Sequence, residues 1–330
     1  MSSGSSLPYR LRQNKSVDRE LFLGLLGRLA ATLELENYQY VGLGGPFLED
    51  FRLIHARLGL KDLVCVEAEE NVYKRQLFNR PIDQITCVNS TLEDYLDETD
   101  FEIPVIIWFD YTDPKSITDQ IERFAQSISC VPVNSIFRIT LNANPTSLGT
   151  PKPEELAVEI NGMERSDGQK KTIQEWRLDR FRERLGGLFP NGLKPEEMTF
   201  KRYGLCVLRA LYLAVENEIL KTADRNIVWA LATHYADGQP MITATLVICQ
   251  ENVQPIKDLV ENWEYHSTPL SPLMLDMPAL STLERLTMES CDDAMDRMGF
   301  ELPKSDMGED PFDSFKKFYR FFPHFSRVEL

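Results

Sequence analysis

Four apolar segments in the first half of the chain each end in residues that could contact a ligand. They end, in order, in Gly42-Leu43-Gly44-Gly45, Glu67, Asn89-Ser90 and Asp110-Tyr111. In a parallel α/β sheet, the carboxyl ends of the strands open onto one edge. A glycine turn, two acids and an amide would therefore meet around one crevice, which suits a nucleoside-bearing cofactor.

The spacing of apolar residues predicts the elements that must position these groups. A helix is predicted over about 16–35, and strands near 38–43, 63–67, 84–88, 104–110 and 135–141. Strands that alternate with short helices indicate a mostly parallel sheet with right-handed crossovers. Two β-rich runs, 227–235 and 241–248, flank Asp237-Gly238, which predicts an antiparallel hairpin.

The predicted core is interrupted once and extended at both ends. An N-terminal arm and helix occupy 1–36, and the core occupies 37–149 and 200–250. Residues 150–199 are rich in Gly, Pro and charge, which indicates an insertion carrying one helix. Residues 251–330 form a C-terminal extension, in which aromatic residues at helical spacing predict a terminal helix packed on the body.

Composition limits the classes of protein that the chain can belong to. Its 36 basic and 51 acidic residues give a formal charge of −15, which favours solubility and opposes binding of bare nucleic acid. No apolar run approaches the roughly 18 residues of a membrane span, and the N-terminus lacks a secretory signal. Six dispersed cysteines without a C-x-x-C pair indicate reduced thiols and a cytoplasmic protein without a zinc cluster.

One basic patch stands out in this acidic chain, and it lies in the insertion. Its members are Lys170, Lys171, Arg177, Arg180, Arg182 and Arg184, set against Glu175, Asp179 and Glu183. The patch could bind phosphate or an acidic partner, and it is the only route by which we expect nucleic acid to bind. A solvated helix face with ion pairs between neighbouring turns is the alternative.

Five strand–helix units followed by a helix and a hairpin resemble the class I S-adenosylmethionine-dependent methyltransferases. The resemblance covers about 38–248, apart from the insertion. It implies an α/β, Rossmann-like sheet of seven strands, mostly parallel, with an antiparallel last strand beside the sixth. The phrase Trp108-Phe109-Asp110-Tyr111, together with residues 9–15, is similar to a bacterial group classed with the O-methyltransferases.

The resemblance implies that S-adenosylmethionine is the cofactor and gives roles to the strand-end residues. The implied cofactor-binding residues are Asn14, Lys15, Gly42, Gly44, Gly45, Glu67, Asn89, Ser90 and Asp110. The glycine turn would take the methionine part, Glu67 the ribose hydroxyls, and Asn89 and Ser90 the adenine. Asn14 and Lys15 would close over the cofactor carboxylate. Two alternatives are equally open. Asn89 and Ser90 could instead cap a helix, and Lys15 could be an ordinary surface lysine.

Two other nucleotide sites fit the glycine turn less well. The dinucleotide fingerprint G-x-G-x-x-G/A needs a third small residue where this chain has Phe47, which disfavours NAD. No G-K-S/T follows the glycines, so a Walker loop is absent. The segment after the fifth strand offers Asn142 and Asn144 where a metal-dependent methyltransferase needs an acid, so no metal is predicted.

The predicted catalytic residues are Asp110, Tyr111 and His234. Asp110 would hold the cofactor's amino group or orient the acceptor, and Tyr111 would stack on the ligand. His234 would end the sixth strand on the active edge and serve as a general base. The insertion at 150–199 follows the fifth strand, where substrate lids occur in the family, so it is a candidate lid.

The predicted function is methyl transfer to an oxygen or nitrogen of a small or macromolecular acceptor. The alternative is a non-catalytic cofactor sensor or partner subunit, with the C-terminal aromatic segment as its protein-interaction surface.

Overall fold

The computed structural model describes residues 12–156, 159–160, 163–164, 171–222, 224–250, 252–304 and 307–322. The first half alternates helices and strands: α1 (Gln13–Leu29), β1 (Gln39–Leu43), α2 (Glu49–Leu58), β2 (Asp62–Val66), α3 (Glu70–Asn79), β3 (Ile85–Val88), α4 (Leu92–Glu98), β4 (Val105–Asp110), α5 (Ile117–Ser127) and β5 (Ile136–Asn142). The second half contains β6 (Glu159–Ile160), β7 (Met163–Glu164), α6 (Ile173–Leu185), α7 (Tyr203–Ile219), β8 (Asn226–Asp237), β9 (Gln239–Cys249), α8 (Gln254–Glu261), β10 (Leu273–Leu275), α9 (Thr282–Ser290), α10 (Ala294–Met298) and α11 (Pro311–Phe318).

One large sheet organises the molecule, with the strand order β10-β8-β9-β5-β4-β1-β2-β3. Neighbouring strands are parallel except at β9, which lies between β5 and β8 and runs antiparallel to both. The predicted mostly parallel α/β sheet and its terminal hairpin are therefore confirmed. Gly238 closes the hairpin with φ of 89°, a left-handed conformation that glycine adopts without strain.

The sheet has eight strands in this structure where seven were predicted. The additional strand, β10, comes from the C-terminal extension and pairs in parallel with β8. It contains three residues, Leu273–Leu275, which is too short for a periodic pattern to show in the sequence. Because β10 is parallel to β8, it ends at the same edge as the strands of the core.

Hydrophobic cores cover the two faces of the sheet. One face packs against α1, α2 and the C-terminal extension, and the other against α5, α6 and α7. The aromatic residues of the extension lie in the first core: Phe315 and Phe318 are both 1% exposed, and Tyr265 contacts Phe321 edge-on at 4.9 Å. These side chains are used in packing within the chain, as the helical spacing predicted.

A buried ion pair fastens α1 to the sheet. Arg138 Nη2 of β5 donates to Asp18 Oδ2 of α1 at 2.6 Å, and neither side chain is more than 1% exposed. Thr233 and Thr243 donate to the other carboxylate oxygen of Asp18, at 2.7 and 3.0 Å. A second Arg138 nitrogen donates to Thr245. Both charges are thus compensated, which burial requires.

The insertion contributes the two-residue strands β6 and β7 and the helix α6. Thr172 and Glu175 form a capping box at the start of α6, which explains where the helix begins. Arg184 donates to the carbonyls of Pro114 and Ser147, so α6 is tied to the loops that follow β4 and β5.

The basic residues of the insertion are largely engaged by neighbours. Lys171 and Arg182 pair with Asp179, and Arg180 pairs with Glu155 and Glu183. Lys170 lies outside the described residues. The described part of the patch therefore has the ion pairs of a solvated helix face. Along the described ranges, none of the helices is long and apolar enough to cross a membrane.

Candidate functional site

The carboxyl ends of the parallel strands lie along one edge of the sheet. The β-ladders set Gly42 beside Cys65 and Trp108, Val66 beside Val88, and Asp110 beside Thr140. The glycine turn after β1, Glu67 after β2, Asn89 after β3 and Asp110 at the end of β4 are consequently on the same edge. We call the edge of the sheet at which the parallel strands end the cofactor edge, after the role predicted for Gly42, Glu67, Asn89 and Asp110.

The glycines of the turn are required by side chains packed beneath them. A Cβ on Gly42 would lie 3.0 Å from the Tyr40 hydroxyl, and one on Gly44 would lie 2.7 Å from Cys65 Sγ and 3.0 Å from Phe51. The side chains of Tyr40, Cys65 and Phe51 therefore leave no room for a Cβ at these two positions, whether or not a ligand is bound.

The turn that follows these glycines is held in a defined conformation. The Gly44 carbonyl accepts a hydrogen bond from the buried Gln76 amide at 2.6 Å, and the Gly45 carbonyl accepts one from Leu48 N. Leu48 itself has a φ of 53°, a left-handed conformation that is unfavourable for a leucine. Such strain persists where the surrounding structure imposes it, and it is common beside ligand sites.

Replacing Gly44 by alanine is expected to destabilise the protein by about 1–3 kcal/mol, because the new Cβ overpacks the site beneath the turn. Guanidinium unfolding measures the change. Gly27→Ala in α1 is the control: apart from the backbone of its own helical turns, no atom lies within 4 Å of its added Cβ, so stability should rise by about 0.5–1 kcal/mol. A Gly44→Ala protein as stable as the parent would contradict the packing described here.

Glu67 and Asn89 link the ends of β2 and β3. Asn89 Nδ2 donates to the Glu67 carbonyl at 2.8 Å, and Ser90 N donates to the same oxygen. Glu67 Oε1 accepts from Glu69 N at 2.8 Å, and the Ala68 N–H also contributes a hydrogen bond to the carboxylate. Burial raises the pKa of the half-buried Glu67 carboxyl, and the hydrogen bond from Glu69 N offsets part of the rise.

Asn14 and Lys15 lie at the first turn of α1, where Asp237 binds the helix end. The backbone N–H groups of Asn14 and Lys15 donate to the Asp237 carboxylate, at 3.3 and 2.8 Å. The Asn14 amide also donates to Ala236 O and accepts from Met277 N. Asn14 thus joins β8 to the segment after β10, a structural role that the sequence did not indicate, and its place in cofactor binding stays a prediction.

Asp237 is a residue of this edge that the sequence analysis used only as a turn signal. Burial raises the pKa of its carboxyl, and the hydrogen bonds from Lys15 N and Asn14 N oppose the rise. The carboxylate supplies the cap that α1 lacks locally, since Arg12 at the N-cap makes no side-chain cap bond.

Asp110 and Tyr111 lie on opposite faces of the sheet. Asp110 is half-buried, and no described residue donates a hydrogen bond to its carboxylate. Tyr111 is buried and donates to Glu93 Oε1 at 2.8 Å, in the core that contains Phe109. Burial and the Glu93 charge raise the pKa of the Tyr111 phenol. The structure therefore corrects the expectation that Tyr111 stacks on a ligand beside Asp110, because consecutive strand residues alternate faces.

His234 lies inside the protein and does not reach the cofactor edge. Strand β8 continues past it to Asp237, and the imidazole packs against α7, with Nε2 2.6 Å from the position of a Cβ on Gly204. Neither ring nitrogen has a hydrogen-bond partner in the described part of the chain, and the residue is 0% exposed. This position corrects the prediction of His234 as a general base at the edge.

Burial lowers the pKa of His234 from 6.5 to about 4, which predicts acid lability. Between these values the unfolded chain binds a proton that the folded protein excludes, so stability rises with pH across this window and is lost as the pH falls. The loss reaches about 3 kcal/mol near pH 4. Urea unfolding from pH 7 to 4 tests it. His234→Gln should remove this pH-dependent part of the unfolding free energy, and His266→Gln should retain it. The same dependence of the unfolding free energy on pH in both variants would contradict the assignment.

A family model described as "Putative O-methyltransferase" matches residues 7–330 of the chain. No curated protein matches the chain significantly. Among solved structures, the plantazolicin methyltransferase BamL, in complex with a triazolic desmethylPZN analog and SAH, is 12% identical with a TM-score of 0.38, over 74% of this chain and 90% of its own. Trm1 from Pyrococcus horikoshii, solved with S-adenosyl-L-methionine, is 13% identical with a TM-score of 0.38, over 71% of this chain and 55% of its own.

The N-methyltransferase NodS from Bradyrhizobium japonicum is 8% identical with a TM-score of 0.35, over 71% of this chain and 97% of its own. Structural similarities at this level carry no argument, so the assignment rests on the family model and on the strand order described above. Since that model spans nearly the whole sequence, the chain belongs to this O-methyltransferase family, in the class I S-adenosylmethionine-dependent methyltransferases that its sheet resembles.

Proposed function

We propose that the protein transfers a methyl group from S-adenosylmethionine to an oxygen or nitrogen atom of an acceptor. One observation carries the proposal: the glycine turn, Glu67 and Asp110 share one edge of a methyltransferase-type sheet, and the Asp110 carboxylate has no hydrogen-bond partner in the described chain. Unpaired half-buried carboxylates are costly unless a ligand or solvent satisfies them. A cofactor with ribose hydroxyls and an amino group supplies suitable donors.

The bound cofactor supplies an electrophilic methyl group on a sulfonium. Glu67 accepts hydrogen bonds from the ribose hydroxyls, as an acid at the end of the second strand does in nucleotide-binding sheets. Asp110 either holds the cofactor amino group or accepts the proton of the attacking acceptor. His234 is enclosed and Tyr111 is bonded to Glu93, so Asp110 is the one of the three predicted catalytic residues that remains for this role. Positioning supplies most of the acceleration.

The non-catalytic alternative depends on an aromatic surface for a partner protein. Phe315 and Phe318 are inside the chain, which favours the catalytic proposal over a scaffold built on those residues.

Removing the Glu67 carboxylate tests cofactor binding. Glu67→Ala is expected to weaken S-adenosylmethionine affinity about ten- to a hundredfold, because charge-assisted hydrogen bonds worth roughly 1.5–3 kcal/mol are lost. Isothermal titration calorimetry measures the change. Glu70→Ala is the matched control, since Glu70 is an exposed acid three residues away that pairs with Lys74. Equal affinities for the Glu67→Ala and Glu70→Ala proteins would contradict the ribose assignment.

A further inference from the structure

Three polar side chains near the cofactor edge face α1. Asp110 and Asn142 are half-buried, and Tyr235 belongs to the hydrophobic core on that face. Along a strand, every second residue lies on the same face. Trp108 contacts the Arg138 guanidinium on the α1 side of the sheet, so Asp110, two residues later on β4, lies on that side as well. Asn142, four residues after Arg138 on β5, does too.

The third side chain is Tyr235 of β8. Thr233 donates to Asp18 of α1, which places Tyr235, two residues later, on the same face. Tyr235 and Asn142 are both paired with Met241 of β9, so they lie at the same register on either side of β9. Two strand spacings, or about 10 Å, separate them. Met241 lies between them and is half-buried.

These groups retain unused hydrogen-bonding capacity. Asn142 Oδ1 accepts from Asn144 N at 3.0 Å, but its amide N–H groups have no partner among the described residues. Tyr235 is 2% exposed, and its hydroxyl makes no hydrogen bond there either. Unlike the Tyr40 hydroxyl, the Tyr235 hydroxyl is not among the fully enclosed unpaired atoms, which places it at the margin of this core.

The charges around Tyr235 are mostly negative. The carboxylates of Asp18, Asp110 and Asp237 and the guanidinium of Arg138 all lie within electrostatic range of its phenol. Arg138 is already paired with Asp18, and Arg12 lies within electrostatic range of Asp237, which leaves Asp110 as the excess negative charge of this group. A phosphate or carboxylate brought here would be repelled, whereas a neutral or cationic group would not.

We propose that Asp110, Asn142 and Tyr235 line the methyl-acceptor site, with Met241 as its apolar floor, and that the acceptor is a hydroxyl or amine compound and not a carboxylic acid. The proposal rests on the proposed function. The acceptor's O–H or N–H donates to Asp110, which takes the proton as the methyl group forms its new bond and the cofactor leaves as the neutral thioether. Asn142 and Tyr235 position the acceptor through a second polar atom.

Two conservative variants test the positioning roles. Tyr235→Phe removes only the hydroxyl, and Asn142→Asp keeps the oxygen that bonds Asn144 N while it removes the donor. Each is expected to lower kcat/KM for the acceptor about five- to tenfold or more, the usual effect of losing one hydrogen bond. Tyr38→Phe is the control, because the Tyr38 hydroxyl bonds Asn134 O at the opposite edge of the sheet.

The assay uses methyl-labelled S-adenosylmethionine and a panel of alcohols, phenols, amines and carboxylic acids with matched carbon skeletons. We expect labelled product from hydroxyl or amine members, reduced kcat/KM in the two variants, and unchanged cofactor affinity by calorimetry. Labelling confined to carboxylic acids, or variants as active as Tyr38→Phe, would overturn the acceptor site. Loss of cofactor binding by the parent protein would instead refute the proposed function.

A second measurement needs no acceptor. In a crystal structure of the protein with S-adenosylhomocysteine, the cofactor sulfur should face the space bounded by Asp110, Asn142 and Tyr235. A sulfur directed away from these side chains, with the cofactor bound at the edge, would exclude the acceptor site while leaving the proposed function intact.

Discussion

Replacing Asp18 by alanine is expected to lower the free energy of unfolding by about 3–5 kcal/mol, because the Arg138 charge would remain buried without its partner. Arg138 is enclosed between aromatic rings, 4.5 Å from the Phe22 centroid and 4.9 Å from that of Trp108, so water has little access to it. Thr233 and Thr243 would also lose the oxygen to which they donate.

Denaturant unfolding of three proteins separates this buried pair from ordinary ion pairs. Glu183→Ala breaks an exposed pair with Arg180 and is expected to cost less than about 1 kcal/mol. Asp18→Leu combined with Arg138→Met removes both charges and should recover much of the loss seen in Asp18→Ala. A similar cost for Asp18→Ala and Glu183→Ala would show that the buried network does not hold α1 to the sheet.

Changing Asp110 to asparagine is expected to reduce methyl transfer about a hundredfold or more, the range that a positioned base contributes. Asparagine preserves the size of the side chain but cannot take the acceptor's proton. If Asp110 instead holds the cofactor amino group, the same variant loses affinity for S-adenosylmethionine. Initial rates and calorimetry on one preparation therefore distinguish the two roles that the proposal leaves open.

Asp113→Asn is the control for this experiment. Asp113 accepts hydrogen bonds from Lys115 N and from the Ser116 hydroxyl, which is a capping role at the start of the following helical turn. Its variant should keep turnover and lose only a little stability. A fully active Asp110→Asn protein with unchanged cofactor affinity would remove Asp110 from the site.

The succession of the core strands along the chain could be predicted because each is a short apolar run that ends at a glycine or a polar residue. The same patterns predicted the antiparallel hairpin around Gly238. They gave no sign of β10, whose three residues are ordered by pairing with β8, a contact distant in sequence. Local propensity contains no information about such a partner.

The side-chain positions were harder to predict than the strands. His234 was expected at a strand end, but β8 runs three residues further, to Asp237, and this places the imidazole under α7. Tyr111 adjoins Asp110 in sequence yet occupies the opposite core. Asn142 and Tyr235 became candidates only through strand register, which relates residues about 90 positions apart and cannot be read from local sequence.

The central claim is that the glycine turn, Glu67 and Asp110 surround one bound adenosyl cofactor. Calorimetric titration of the full chain with S-adenosylmethionine, S-adenosylhomocysteine and NAD tests it most directly. We expect saturable one-to-one binding of the first two ligands and none of NAD. Binding of NAD in preference to either adenosyl compound, or no binding of any of the three, would contradict the account.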